Sequence, residues 1–175
     1  DVFEDRNGIL SVINDKNFDD SYIKDIGIDF GMTNPGIDIK KYPVCYASHS
    51  AADGIKSIIR SNNILIENID SIICKVPPII ASNLTYSKPK TVKEAQFSIE
   101  FPIASIIKYG DICLEHLKDS VILNDDMQSL MKKVKMRVSK IPKNQESNNK
   151  ICPEWSNVEL YTKNGECHEA FVGAP

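Results

Sequence analysis

The sequence has few of the features that mark membrane and secreted proteins. None of its apolar runs approaches the ~20 residues that a membrane-spanning helix requires, so we expect a soluble protein with no membrane partner. The first residues lack the charged-then-apolar pattern of a secretory leader. The chain begins with Asp1 instead of Met, which suggests a processed chain or an excised piece.

Cysteine and glycine are sparse and scattered. An odd set of five cysteines without a Cys-x-x-Cys pair predicts reduced thiols in the cytoplasm, with neither a disulfide framework nor a metal site. The eight glycines form neither of the Gly-rich patterns that cradle phosphates, so no phosphate-cradling loop is expected. The five thiols belong to Cys45, Cys74, Cys113, Cys152 and Cys167.

Neither sign of charge dominates the chain. The 21 Lys and Arg residues nearly balance 24 Asp and Glu residues, for a net charge of −3, which argues against nucleic acid as the main partner. Residues 131–150 are locally basic, but Lys133, Lys135 and Arg137 alternate there with apolar residues. That period is typical of a strand with one solvated face, so we prefer a sheet face to a phosphate-binding track.

The remaining composition is that of a globular protein, with 42% apolar and 26% charged residues. Helices are predicted where start and stop residues frame an apolar period. They are one that opens at the Ser50–Asp53 capping box, one over 98–109 that stops at Gly110, one capped by Asn124, and one from Asp19-Asp20 to Gly27 with Tyr22, Ile23 and Ile26 inward.

Strand signals lie between these helices. Ile37 and Ile39 alternate with polar residues, 71–76 is rich in β-branched residues, and Asn164-Gly165 is a strong hairpin signal, under which Trp155 should pack. Residues 79–95 and 142–153 read as long loops, and His116 and His168 as surface residues without companions. We predict a single α+β domain over residues 1–175, an antiparallel sheet with helices packed on one face.

The residues with chemical potential concentrate between positions 37 and 53. A strand is predicted to end at Lys40-Lys41 and a helix to begin near Ser48–Ser50, so the N–H groups of its first turn would face one point. With the ammonium of Lys40 and the imidazole of His49, that junction suits a carboxylate, and phosphate fits the same electrostatics.

Simpler interpretations of the same residues stay open. Lys40 fits an ordinary solvated charge, and Cys45 fits a small buried hydrophobe. Ser48, His49 and Asp53 have the residue types of a catalytic triad, but one helical turn cannot give them the geometry that a triad needs.

Two segments resemble the MmgE/PrpD family of 2-methylcitrate dehydratase and cis-aconitate decarboxylase. Lys40-Lys-Tyr-Pro-Val-Cys-Tyr-Ala-Ser-His-Ser-Ala-Ala-Asp53 is similar to the family's Lys-Pro-Tyr-Pro-Cys-Cys, Thr-His and Asp signature. Glu94-Ala-Gln-Phe-Ser-Ile-Glu-Phe-Pro-Ile-Ala104 is similar to its Ala-Gln/Lys-Phe-Ser-Ile-Pro-Tyr stretch. The sequence departs from the pattern at Lys41, often Pro in the family, and at Cys45, which is His in the decarboxylases.

The resemblance implies that this chain is the smaller α+β lid of a larger enzyme whose helical domain is the lid's partner. It further implies a cytoplasmic homodimer with hydro-lyase or isomerase activity on small di- or tricarboxylates, of the kind used in propionate metabolism, with no cofactor or metal. The isolated lid should be inactive. The alternative is a non-catalytic module for carboxylate binding or dimerisation.

The family's chemistry removes a proton next to a carboxylate, which requires cations to hold carboxylates and stabilise enolate charge. The resemblance assigns catalysis to Lys40, Cys45 and His49, and substrate binding to Lys41, Tyr42, Ser48, Gln96 and Ser98.

Overall fold

The computed structural model describes residues 2, 6, 8–14, 20–28, 30–33, 36–37, 39–143, 145 and 154–173. The chain divides into two compact units, Asp1–Ile39 and Lys40–Pro175. None of the helices in the described part is long and apolar enough to cross a membrane.

The first unit holds helix α1 (Ile9–Asn14) and a 3-10 helix over Asp20–Asp25. The helix predicted from Asp19-Asp20 is therefore a 3-10 helix. Its Ile23 and Ile26 are exposed, not inward, because so short an element buries little surface. Gly27 has the positive φ expected of a stop, whereas Asp19 and the side chain of Tyr22 lie outside the described residues.

The strand predicted around Ile37 and Ile39 is wrong. The described residues at this point have no strand structure, and the two side chains are 65% and 83% exposed. Alternation predicts a strand only where a partner strand exists to receive it, and none pairs with these residues in the described sheet. Of the residues directly before Lys40, the described ones at positions 36, 37 and 39 belong to no helix or strand.

The second unit is built on a four-stranded sheet in the order β2-β1-β3-β4. Its strands are β1 (Ile69–Val76), β2 (Val134–Val138), β3 (Ser156–Thr162) and β4 (Cys167–Val172). Strand β3 is antiparallel to both β1 and β4, but β2 runs parallel to β1 with Val134 opposite Ile72. The α+β class is confirmed; the sheet is mixed because a long helical crossover separates β1 from β2, as a parallel pair requires.

Six helices lie in the described part of this unit. They are α2 (His49–Asn62), α3 (Pro78–Asn83), α4 (Val92–Gln96), α5 (Glu100–Tyr109), α6 (Asp119–Ile122) and α7 (Asp125–Met131), with 3-10 turns at Tyr46–Ser48, Ile66–Asn68 and Leu114–His116. The long loop predicted over 79–95 is therefore wrong in part, since all but one residue of α3 and all but one residue of α4 lie there. Only residues 142, 143 and 145 of the second predicted loop are described.

The core lies between the sheet and helices α2 and α5. Alternate residues of β1 and β3, among them Ile72, Cys74 and Leu160, are fully buried against these helices. Burying one such aliphatic side chain contributes about 1.5–3 kcal/mol. Gly54 allows the closest approach, because a Cβ there would lie 2.9 Å from Cγ2 of Val158.

Several local predictions are confirmed. Helix α5 ends at Gly110, whose φ is +77° and whose N–H donates to the Ile106 carbonyl. The Asn124 side chain caps α7, and Gly165 turns the β3–β4 hairpin with φ +89°. Trp155 is buried and stacks on Phe171 in that hairpin, with 5.9 Å between ring centroids.

The Ser50–Asp53 capping box is not formed. Helix α2 begins one residue earlier, at His49, and the buried Ser50 hydroxyl pairs with that of Ser156 on β3 at 2.8 Å. The Ser50 hydroxyl therefore forms a tertiary hydrogen bond with a residue 106 positions away and does not cap the helix.

The prediction that His116 lacks companions is also wrong. Its ring stacks on Tyr109 with 4.2 Å between centroids, and its nitrogens lie 3.2 Å from Ser105 Oγ and 3.4 Å from Cys113 Sγ. His168 is half-buried, with Nε2 3.6 Å from a Glu166 carboxylate oxygen.

Candidate functional site

The predicted catalytic segment is a pinned loop that leads into α2. Lys40 and Lys41 are exposed, and the chain bends over 41–44 before the 3-10 turn at Tyr46–Ser48. Two hydrogen bonds hold this loop: Cys45 N–H donates to the Gln96 carbonyl at 2.9 Å, and the Ser48 hydroxyl donates to the Cys45 carbonyl at 2.8 Å. The two segments that carry the family resemblance are therefore joined through Cys45 and Gln96.

His49 is the most unusual side chain of the loop and helix. It is 1% exposed and lies between two aromatic rings, with centroid distances of 5.2 Å to Tyr42 and 4.9 Å to Tyr46. Its Nε2 has no hydrogen-bond partner among the described residues. A buried polar atom left in this state costs about 1–3 kcal/mol, so its position requires an explanation beyond folding.

The surroundings keep the His49 ring neutral. Burial is the main cause that lowers its pKa; a hydrogen bond with the Val44 carbonyl opposes the shift, the positive charge of Lys40 adds to it, and the Tyr42 carbonyl and Asp53 oppose it more weakly. Because carbonyls only accept hydrogen bonds and Nε2 has no partner, this arrangement assigns the ring proton to Nδ1. Nε2 then presents a lone pair, which can accept a hydrogen bond but cannot donate one.

Tyr42 and Asp53 form the second part of the site. The Tyr42 ring is buried, and its hydroxyl donates to Asp53 Oδ1 at 2.7 Å. Lys41 Nζ donates to the same oxygen at 2.6 Å. Burial and the neighbouring Asp53 carboxylate raise the pKa of Tyr42, so the phenol keeps its proton and remains a donor.

Positive charge extends from this loop along the outer face of α2. A cavity of about 430 Å³ is lined there by Lys41, Asp53, Lys56 and Arg60, together with Ser57 and Ser61. Lys56 pairs with Asp111 at 3.0 Å, and its ammonium lies 5.7 Å from the Tyr42 ring centroid. The cations outnumber the carboxylates around the loop, which suits the binding of anions.

Ser98 lies in the second resembling segment and caps α5. Its buried hydroxyl donates to Glu100 Oε2 at 2.8 Å and accepts the N–H groups of Glu100 and Phe101. Burial raises the pKa of Glu100, although these hydrogen bonds oppose the shift. The hydroxyls of Ser98 and Ser48 are thus both engaged within the protein, and their assignment to substrate stays a prediction.

A larger cavity than the one along α2 lies at the edge strand β2. It has a volume of about 650 Å³, and β2, Glu100, Gln128 and Met131 contribute to its lining. None of the residues predicted for catalysis or substrate binding lines it. The sequence offered no motif for this cavity, although Glu100 falls within a segment that resembles the family.

No metal centre is evident in the part of the chain that the structure describes, where no three His, Cys, Asp or Glu residues are grouped as ligands. Of the predicted residues, the structure brings together Lys40, Lys41, Tyr42, Cys45, Ser48 and His49, with Gln96 attached through its carbonyl.

A match to a family profile shows which family the chain belongs to. The profile of the MmgE/PrpD C-terminal domain matches residues 42–175. The chain belongs to the MmgE/PrpD family. The resemblance drawn from the sequence is confirmed, and the matched residues begin close to the start of the second unit at Lys40. No curated protein is similar enough to match this chain.

Within this MmgE/PrpD C-terminal domain, Tyr42, Cys45, His49, Gln96 and Ser98 are inside the matched range, and Lys40 and Lys41 directly precede it.

Proposed function

We propose that this chain is the substrate-binding lid of a cofactor-independent lyase or isomerase of the 2-methylcitrate dehydratase type. Its substrates are small di- or tricarboxylates that lose a proton next to a carboxylate. The observation that carries the proposal is the buried, unpartnered Nε2 of His49 beside the exposed Lys40, in a domain of the MmgE/PrpD family. The helical domain of the same protein supplies the remaining groups.

Lys40 acts as the carboxylate clamp in this proposal. Its ammonium is close enough to lower the pKa of His49, yet its side chain is exposed and free to meet a ligand. A cation at this point holds a substrate carboxylate and stabilises the negative charge that develops when the neighbouring proton leaves.

His49 directs Lys40 and does not bind the carboxylate itself. A neutral ring that carries its proton on Nδ1 repels a carboxylate at Nε2 but accepts a hydrogen bond from an ammonium or a substrate hydroxyl. Cys45 is half-buried and lines the same loop, where its thiol sets the shape of the pocket wall.

The test uses the uninterrupted parent protein, assayed against citrate-like and iminodiacid substrates by the ultraviolet absorbance of a C=C bond that appears or vanishes. We expect Lys40→Ala to lower turnover at least about tenfold, since it removes an interaction made in the transition state. Lys163→Ala, which changes an exposed lysine in the β3–β4 turn, is the control and should match wild type. Wild-type rates in Lys40→Ala would remove Lys40 from the mechanism.

A further inference from the structure

Asp53 holds two residues of the catalytic loop on one oxygen. It lies in the second turn of α2, four residues after His49, so both side chains are on the same face of the helix. Oδ1 accepts from the Tyr42 hydroxyl at 2.7 Å and from Lys41 Nζ at 2.6 Å. The resemblance assigns Asp53 no role in catalysis or substrate binding.

The two hydrogen bonds to Asp53 contribute unequally to the stability of the loop. The Lys41 side chain is 57% exposed, and exposed ion pairs contribute little to a structure. Tyr42 is 2% exposed, and a buried hydroxyl that loses its acceptor is costly. The hydrogen bond from Tyr42 therefore fixes the geometry of the 40–45 loop, whereas Lys41 adds a positive charge on its exposed side.

Tyr42 connects Asp53 to the candidate catalytic residues. Its ring meets the His49 ring edge-on, with 5.2 Å between centroids and an interplanar angle of 74°. Its backbone lies two residues after Lys40 in the same loop. Fixing the Tyr42 hydroxyl on α2 therefore constrains both the wall against His49 and the part of the chain that carries Lys40.

We propose that Asp53 is a positioning residue, which through its hydrogen bond from Tyr42 holds the 40–45 loop, and with it Lys40, in place beside the buried ring of His49. This inference rests on the proposed function of the site. It predicts that the acceptor at position 53, and not its charge, is what the reaction requires.

Substitutions in the full-length parent protein separate these two properties. Asp53→Ala removes the acceptor, Asp53→Asn keeps one without the charge, and Tyr42→Phe removes the donor. Because a small misplacement of reacting groups is costly, we expect Asp53→Ala and Tyr42→Phe each to lower kcat/KM about tenfold, and Asp53→Asn to stay within about threefold of wild type. The double variant Tyr42→Phe/Asp53→Ala should be no worse than its worse single parent, since both remove one bond.

The matched control is Asp126→Ala, which breaks the exposed Lys108–Asp126 pair of 3.0 Å away from the loop. It should leave kcat/KM unchanged. Asp53→Ala equal to this control, Asp53→Asn as damaging as Asp53→Ala, or additive losses in the double variant would overturn the inference. If Asp53→Ala does not fold, Tyr42→Phe compared with Asp53→Asn gives the same decision.

A second measurement needs no substrate. Selectively labelled imidazole signals can be followed by NMR in the same variants, once those of His49, His116 and His168 are assigned by single substitution. Tyr42→Phe and Asp53→Ala should shift the His49 signals and leave those of His116 and His168 in place, whereas Asp53→Asn should move the His49 signals much less, by the lost charge alone. Unmoved His49 signals contradict the positioning role. Moved signals in a parent protein without carboxylate activity would instead refute the proposed function and leave the positioning of His49 standing.

Discussion

Helices α2 and α5 each begin with a buried titratable residue, and the two differ in how that residue is satisfied. Glu100 opens α5 at 5% exposure, and its carboxylate receives the Ser98 hydroxyl. His49 opens α2 at 1% exposure, and its Nε2 receives nothing among the described residues. The larger cavity lies at Glu100, but the unmet hydrogen bond lies at His49. The missing hydrogen bond, and not the cavity volume, therefore supports our proposal that the site lies at His49.

The largest expected effect is the loss of activity when His49 is replaced in the full-length protein. Replacement of Glu100 serves as the comparison. His49→Phe should lower kcat/KM at least about tenfold, because the acceptor that directs Lys40 is lost. Its free energy of unfolding should change little, since replacing the unsatisfied Nε2 by apolar surface is offset by the loss of the Nδ1 donor to the Val44 carbonyl. Glu100→Gln should retain wild-type kcat/KM. Steady-state kinetics and urea denaturation measure both, and a loss of activity in Glu100→Gln alone would reverse the comparison.

Ser98→Ala tests the hydrogen bond that satisfies Glu100 at the start of α5. It removes the cap of α5 and leaves Glu100 without a side-chain donor, so we expect a loss of about 1–2 kcal/mol in the free energy of unfolding. Ser82→Ala is a suitable control, because its hydroxyl donates to the Ile79 carbonyl at an exposed position. Denaturation midpoints should fall clearly for Ser98→Ala and hardly for Ser82→Ala. Equal shifts would mean that Ser98 does not stabilise the α5 end.

The smallest effect is a difference in pH dependence, with opposite signs at the two helices. Glu100 has a raised pKa, so its contribution to stability is complete below its unfolded value of about 4.3 and is lost as pH rises through the folded value. His49 has a lowered pKa, so its contribution is complete above about 6.5 and is lost as pH falls.

Thermal denaturation of the variants checks these signs. Relative to wild type, Glu100→Gln should gain stability as pH rises above about 4.3, and His49→Phe should gain stability as pH falls below about 6.5. The slope cannot exceed about 1.4 kcal/mol per pH unit for one group. Parallel curves for wild type and a variant would show that the replaced group is not perturbed.

Elements with local causes could be predicted from the sequence. The hairpin follows from Asn164-Gly165, and the end of α5 follows from Gly110, because each depends on backbone freedom at one residue. Elements that need a distant partner could not. The alternation around Ile39 found no strand to pair with, the Ser50 hydroxyl bonded to Ser156, and the parallel placement of β2 was decided by the chain between it and β1.

The candidate site also combines features that the sequence predicts with features that depend on contacts between distant residues. The resemblance identified Lys40, Cys45 and His49 as the residues to examine, and their assignment to catalysis remains a prediction. The bond between Tyr42 and Asp53, the aromatic walls around His49 and the cap that Ser98 gives to Glu100 are contacts in space. Residue types and spacing do not predict such contacts. The three-dimensional structure was needed to show that Ser98 caps α5 and that Asp53 accepts the hydrogen bond from Tyr42.

The close approach at Gly54 has a mechanical consequence for helix α2. Because a Cβ at this position would lie 2.9 Å from Cγ2 of Val158, any larger residue there would push α2 away from strand β3 and carry His49 and Asp53 with it.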